Sequence, residues 1–316
     1  MAIFGPGDAL GRAAAWGVGL PQGGGDESGR YRAYFDGDAP TRGRIDERFS
    51  QVSDSLRDTR VIFVPSWLSD SALPSVALGG SLGYMAGISD GLAREGIVLE
   101  IASVETEAGV AANAAHLAAL VGTDDRPLCF ITHSKGGLDV LEYLRTSAPG
   151  ERARVRCWLA LLAPFAGSPV ADLVAGTPGV KDAVGTALSA LGGDVQSLYD
   201  LTTWSRAAYL GAHKAAITQI FSDVPTLCVA GYVDDPGPFY RPASWTWPAM
   251  TWMRAGAIPN DGLVPVRSST APCRRFVVLR DIDHTALVAP SIYSGLDQAA
   301  TIKLLLYLAL VPRDAN

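Results

Sequence analysis

A serine sits in the segment Leu128-Cys129-Phe130-Ile131-Thr132-His133-Ser134-Lys135-Gly136-Gly137, directly after an apolar run and two residues before a pair of glycines. The apolar run reads as a buried strand, and residues 137–144 read as a helix. A strand that passes into a helix through so short a turn forms a nucleophile elbow, and small residues must flank the bend. The hydroxyl then stands above the sheet edge at a helix N-terminus. Free backbone N–H groups and the helix dipole favour negative charge on an oxygen bound there. A serine hydroxyl is a poor nucleophile at neutral pH. It needs a base within hydrogen-bond reach, and the base needs an orienting carboxylate.

The chain offers four histidines: His116, His133, His213 and His284. His284 follows the apolar run at 276–279, where a loop could carry it over the sheet edge. His133 reads as a packing residue of the elbow, His116 as a residue on the surface or core side of a helix, and His213 has no assigned role. Among the acids, Asp261 in Asn260-Asp261-Gly262-Leu263-Val264-Pro265 competes with Asp234 and Asp235, which directly follow the run at 226–232. Asp283 adjoins His284, and its side chain is expected to point away from the ring.

Positioning these groups calls for a sheet. Short apolar runs at 61–65, 97–102, 128–132, 155–163, 226–232 and 276–279 read as strands. Residues 82–95, 107–121, 137–144 and 296–311 read as helices between and after them. Continuous apolar strands alternating with helices predict an α/β protein with a mostly parallel central sheet covered on both faces. Residues 1–30 are Gly-rich without a sustained period and read as an arm. Residues 1–59 hold this arm and the first elements; residues 60–316 form the main domain.

Two long segments break the rhythm, at 168–205 and 233–260. In the first, Val180, Val184, Leu188 and Leu191 lie at helical spacing and form an amphipathic face. That face either packs on the core or forms a lid over a pocket. The second carries Phe239, Tyr240, Trp245, Trp247 and Trp252, stiffened by prolines at 236, 238, 242 and 248. Its rings either fix the loop to the body, or some of them, with Trp245, Trp247 and Trp252 foremost, line an apolar pocket.

The stretch His133-Ser134-Lys135-Gly136-Gly137-Leu138-Asp139, followed by Tyr143-Leu144, resembles the His-Ser-Met-Gly-Gly-Leu-Asp elbow of bacterial lipases in the α/β-hydrolase superfamily. Ala163-Pro164-Phe165-Ala166-Gly167-Ser168-Pro169 resembles the segment before their lid. Asn260-Asp261-Gly262-Leu263-Val264-Pro265-Val266, with Ser268-Ser269, resembles the segment that carries their catalytic acid. The resemblance spans roughly 60–310, and the three motifs fall in the family's order. It implies an α/β-hydrolase fold with a helical lid insertion at 168–205 and the chain order nucleophile, acid, histidine. Ser134 is then the nucleophile, Asp261 the acid and His284 the base. The backbone amides of Lys135 and Trp67 form the oxyanion hole, with Val64-Pro65-Ser66-Trp67 in place of the usual His-Gly loop. Two further departures stand out: Thr132 replaces the first elbow glycine, and Lys135 replaces an apolar residue.

The implied activity is cleavage of a small-molecule or lipid carboxylic ester through an acyl-enzyme. A thioesterase, an acyltransferase or a polyester depolymerase would use the same triad. A non-catalytic binding protein on this scaffold is the reading that Thr132 and the Pro-Ser-Trp loop favour. The related secreted lipases hold calcium with aspartates near the histidine. Here Thr285-Ala286-Leu287 follows it, so no metal and no cofactor are expected.

Composition narrows the remaining classes. The chain has 316 residues, 48% hydrophobic and 18% charged, with a net charge of -6. That describes a folded globular chain and argues against a nucleic-acid partner. No apolar stretch reaches the roughly 18 residues of a membrane span. The start, Met1-Ala2-Ile3-Phe4-Gly5-Pro6-Gly7-Asp8, lacks a basic region and carries an acid, which predicts a cytoplasmic protein without a signal peptide. Cys129, Cys157 and Cys228 lie in apolar runs, and with Cys273 they form no zinc spacing; they read as free, buried thiols.

Overall fold

The computed structural model describes residues 20–21, 25–35, 41–67, 84–122, 124–190, 193–234, 246–289 and 296–311. Six strands form one sheet: β1 Arg60–Val64, β2 Leu99–Ile101, β3 Leu128–His133, β4 Val155–Leu161, β5 Thr226–Tyr232 and β6 Phe276–Arg280. Their order is β2-β1-β3-β4-β5-β6. Every neighbouring pair is parallel. All six strands match runs of the sequence; β1, β3, β4 and β5 are nearly unbroken apolar runs because a parallel strand buried on both faces has no polar side to interrupt the run, whereas the edge strand β2 is partly exposed and carries Glu100.

The two faces feed two cores. Val61 and Phe63, Cys129 and Ile131, and Leu159 and Leu161 face one side, where Ile88, Leu92 and the helix Gln298–Leu310 cover them. Ile62 and Val64, Leu128 and Phe130, and Trp158 and Ala160 face the other, against Leu117, Leu138, Leu141, Ile217 and Phe221. This is the period of two expected of a strand. The Gln298–Leu310 helix is buried almost all round, and the helix Thr41–Arg57 packs outside it with Ile45 and Phe49 fully buried. Lys303 serves that arrangement by snorkelling to Asp46 at 2.9 Å and to Glu95.

The cysteine expectation is corrected. Cys129 and Cys157 are disulfide-bonded, as are Cys228 and Cys273, so no free thiol remains. Cys129 and Cys157 lie 28 residues apart, yet the β3–β4 register sets them opposite each other. An apolar neighbourhood in the sequence cannot reveal such a partner.

The segment at 168–205 is helical, as Pro169–Gly176, Pro178–Ala190, Val195–Asp200 and, running past its end, Thr203–Ala212. Ser168 caps the first of these, its hydroxyl accepting from Val170 N at 3.2 Å and Ala171 N at 3.4 Å, and Pro169 occupies the first helical position. Leu188 is buried and Val184 packs on the core, whereas Val180 is exposed. Leu191 lies outside the described residues. Among the described residues, no helix is long and apolar enough to cross a membrane.

Candidate active site

Ser134 has φ +52° and ψ −122°, a left-handed backbone that an L-residue adopts only under constraint. The constraint is local. Ser134 N donates to Leu161 O at 2.9 Å, and Gly137 N donates to Ser134 O at 3.0 Å. A Cβ on Gly136 would stand 2.4 Å from Val64 O, and one on Gly137 would stand 2.5 Å from the Ala163 side chain. The elbow therefore requires both glycines. Thr132 is tolerated at its edge because its hydroxyl accepts the Trp158 indole N–H at 3.1 Å, with Gly137 leaving the space.

Three side chains far apart in the chain meet here. The Ser134 hydroxyl lies 2.8 Å from His284 Nε2, and His284 Nδ1 lies 2.8 Å from Asp261 Oδ2. Asp261 has only acceptor oxygens, so Nδ1–H donates to it and Nε2 is left to accept the serine proton. The second Asp261 oxygen accepts from Leu263 N at 2.9 Å and Val264 N at 2.7 Å. Asn260 braces the same turn, accepting from Gly262 N at 2.9 Å and donating to Ile258 O at 2.8 Å. Gly262 has φ +103°, and a Cβ there would meet Thr246 at 2.7 Å. The main chain of Asp261 also accepts from His284 N at 2.8 Å. All three groups are buried, and Ser134 keeps 7% of its exposure.

The competing acids lie elsewhere. Asp234 pairs with Arg280 at the surface at 3.1 Å, and Asp235 lies outside the described residues. Asp283 turns away from the imidazole and accepts from the backbone of Thr285 and Ala286. His116 is exposed on its helix. His213 stacks edge-on with Tyr209 between two helices.

Lys135 occupies the first position of the Lys135–Thr146 helix, so its amide has no partner within the helix. Its side chain does not reach solvent. At 1% exposure, Nζ contacts both Asp139 oxygens at 3.1 Å, and Asn113 donates to the same carboxylate at 3.0 Å. Burial pushes the Asp139 carboxyl up, and Lys135 and Asn113 pull it back toward the ionised form. The pair ties the first turn of the elbow helix to the helix Val110–Val121.

Trp67 closes the described part of the loop after β1, its indole donating to Ser197 at 3.0 Å. Of the three tryptophans picked from the aromatic segment, Trp252 packs with Val170, Met253 and Ile258. Trp247 is half-buried, with an indole N–H that has no hydrogen-bond partner among the described residues. Trp245 lies outside the described residues.

Three polar contacts of the site carry no sequence signal. His133 Nε2 lies 2.7 Å from the main-chain oxygen of His284, and Nδ1 lies 3.1 Å from the Tyr84 hydroxyl. Ser66 N donates to the same hydroxyl at 3.2 Å. Tyr84 stands 49 residues before His133, so only the fold brings them together. Burial lowers His133 from 6.5 to about 3, the charge of His284 adds to the drop, and the hydrogen bond to the His284 main chain opposes it. The unfolded chain therefore takes a proton at His133 below about pH 6.5, and the folded protein does not until about pH 3. Stability from this group is full above that upper value and falls as pH drops, by up to about 1.4 kcal/mol per pH unit. Urea unfolding followed from about pH 7 to pH 4.5 should reveal this acid limb, and His133→Gln should flatten it.

No family model matches the chain, and no curated protein does. Solved structures do. A metagenomic carboxyl esterase, MGS0156, superposes with a TM-score of 0.64 at 21% identity, over 80% of this chain and 76% of the esterase. The mature lipase BlEst2 of Bacillus licheniformis gives 0.59 at 18% identity, over 81% of this chain and 93% of the lipase. The fold is that of the α/β-hydrolases. The lipase of Staphylococcus hyicus gives 0.52 at 15% identity, over 80% and 94%. At these identities the α/β-hydrolase fold is shared, and the chemistry of this chain must be argued from its own residues.

Proposed function

We propose that the protein is a serine hydrolase that cleaves carboxylic esters through an acyl-enzyme. One observation carries the reading: the hydrogen-bonded line from Ser134 through His284 to Asp261, with both contacts at 2.8 Å, on a strained elbow. Ser134 attacks the ester carbonyl as His284 Nε2 takes the hydroxyl proton, and Asp261 holds the imidazole in the tautomer that can accept it. The developing oxyanion sits at the N-terminus of the Lys135–Thr146 helix, within reach of the Lys135 and Trp67 amides. The imidazolium then protonates the departing alcohol. Water, deprotonated by the same ring, releases the acid and restores Ser134.

The substrate class is a small-molecule or lipid ester. Trp245, Trp247 and Trp252 are assigned to the acyl side, and the helices at 168–205 to a lid. The indole of Trp67 on Ser197 supports that role, since it ties the oxyanion loop to one lid helix. Two disulfides weigh toward an oxidising compartment over the cytoplasm expected from the first residues.

A fluorophosphonate probe should label the folded protein once, at Ser134, as mapped by peptide mass spectrometry. A series of p-nitrophenyl esters from acetyl to palmitoyl, run beside acyl-CoA thioesters, should give turnover with the oxygen esters above the thioesters. Folded protein that neither takes the label nor hydrolyses any ester would sink the proposal.

A further inference from the structure

We propose that Tyr84 and His133 form a positioning relay that ties the oxyanion loop to the main chain of the general base. This rests on the ester-hydrolase reading above and adds two residues to it, neither of which touches substrate. The direction of each bond follows from donors and acceptors alone. The carbonyl of His284 can only accept, so His133 Nε2 must carry a hydrogen and donate to it at 2.7 Å. A neutral imidazole has one N–H, so His133 Nδ1 is an acceptor, and the Tyr84 O–H must donate to it at 3.1 Å. The Tyr84 oxygen keeps its lone pairs for the Ser66 N–H at 3.2 Å. The chain therefore runs from Ser66 N–H to Tyr84 O–H to His133, and from His133 Nε2–H to the His284 carbonyl.

The two ends are the parts that must stay in register during attack. Ser66 precedes Trp67, whose amide is assigned to the oxyanion. His284 is pinned on both sides of its main chain: its N–H donates to Asp261 O at 2.8 Å, and its C=O accepts from His133. The rings make one continuous contact path, with centroids 6.1 Å apart for Tyr84 and His133 and 5.1 Å apart for His133 and His284. Loss of the relay would leave the Ser134–His284 contact possible but no longer held relative to the oxyanion donors.

The test compares Tyr84→Phe, His133→Gln, His133→Leu and the double variant Tyr84→Phe/His133→Leu. Turnover is normalised to sites that take the fluorophosphonate label at completion, so misfolded protein is not counted. Gln keeps one donor and one acceptor, whereas Leu keeps neither. Since displacement of about 1 Å can cost about 100-fold in rate, His133→Leu should lower kcat per labelled site by about that factor with KM nearly unchanged. Tyr84→Phe, which removes one oxygen and should not disturb folding, should lower kcat by about 10-fold, a smaller share of the same positioning effect. His133→Gln should recover most of the loss, and the double variant should be no slower than His133→Leu. Unchanged kcat per labelled site in Tyr84→Phe and His133→Leu, or fully additive effects in the double variant, would overturn the relay while wild-type turnover leaves the hydrolase reading standing. Wild-type protein without label and turnover would overturn both.

Discussion

Ser134→Ala lowers kcat on p-nitrophenyl esters by about 10^6-fold, His284→Ala does the same, and the double variant is no worse than either. The non-additivity follows from geometry. Ser134 Oγ and His284 Nε2 share one hydrogen bond of 2.8 Å, and the proton that leaves one must land on the other. Removing either ends the same step. Asp261→Asn acts differently. Its amide N–H2 would face His284 Nδ1 and favour the tautomer with the hydrogen on Nε2, so the ring could no longer accept from Ser134. A loss of about 10^4-fold is expected, with KM little changed. Circular dichroism and the urea midpoint separate these effects from unfolding. Ser134→Ala with wild-type turnover would remove the nucleophile from the scheme.

The second large effect concerns stability. Cys129–Cys157 and Cys228–Cys273 close loops of 28 and 45 residues. Cross-links over such lengths restrict the unfolded chain by about 3.5 and about 4 kcal/mol in the chain-entropy view. A domain has about 5 to 15 kcal/mol in total, so loss of both bonds consumes much of the margin. The first bond lies between fully buried cysteines, so a reductant reaches it only when the sheet opens. Cys129→Ala/Cys157→Ala and Cys228→Ala/Cys273→Ala should each move the urea midpoint down substantially, and the four-fold variant should be largely unfolded near room temperature. A thiol assay on wild-type protein in denaturant without reductant should read no free thiol. Four free thiols there would refute the pairing.

The neighbourhood of Ser134 was legible in the sequence because it is local. A buried strand, a serine, two glycines and a helix follow one another within about twenty residues, and each imposes its own residue type on its own position. The four inner strands were legible for a related reason: burial on both faces demands a nearly unbroken apolar run whatever the neighbours are. His284 could be proposed from chain order, and the resemblance of the Asn260–Val266 segment favoured Asp261 over Asp234, although both aspartates follow the strand at 226–232 in the chain. The fold separates them by placing one at 2.8 Å from the imidazole and the other on Arg280 at the surface.

Other features were decided only by tertiary structure, because each depends on which strands or loops become neighbours. Cys129 meets Cys157 through the β3–β4 register. The helix Thr41–Arg57 carries an apolar stripe at helical spacing, Ile45, Phe49, Val52 and Leu56, but only the tertiary structure decides that this stripe covers the Gln298–Leu310 helix. Lys135, free to face water as far as its neighbours in sequence are concerned, is drawn inward by Asp139 one helical turn on and by Asn113 from another helix. Tyr84 and His133 are unremarkable alone, and acquire their hydrogen-bond directions only when folding sets a carbonyl and an amide at either end. Local sequence sets backbone conformation and burial, whereas a polar contact between distant residues exists only once the sheet order has brought them within reach.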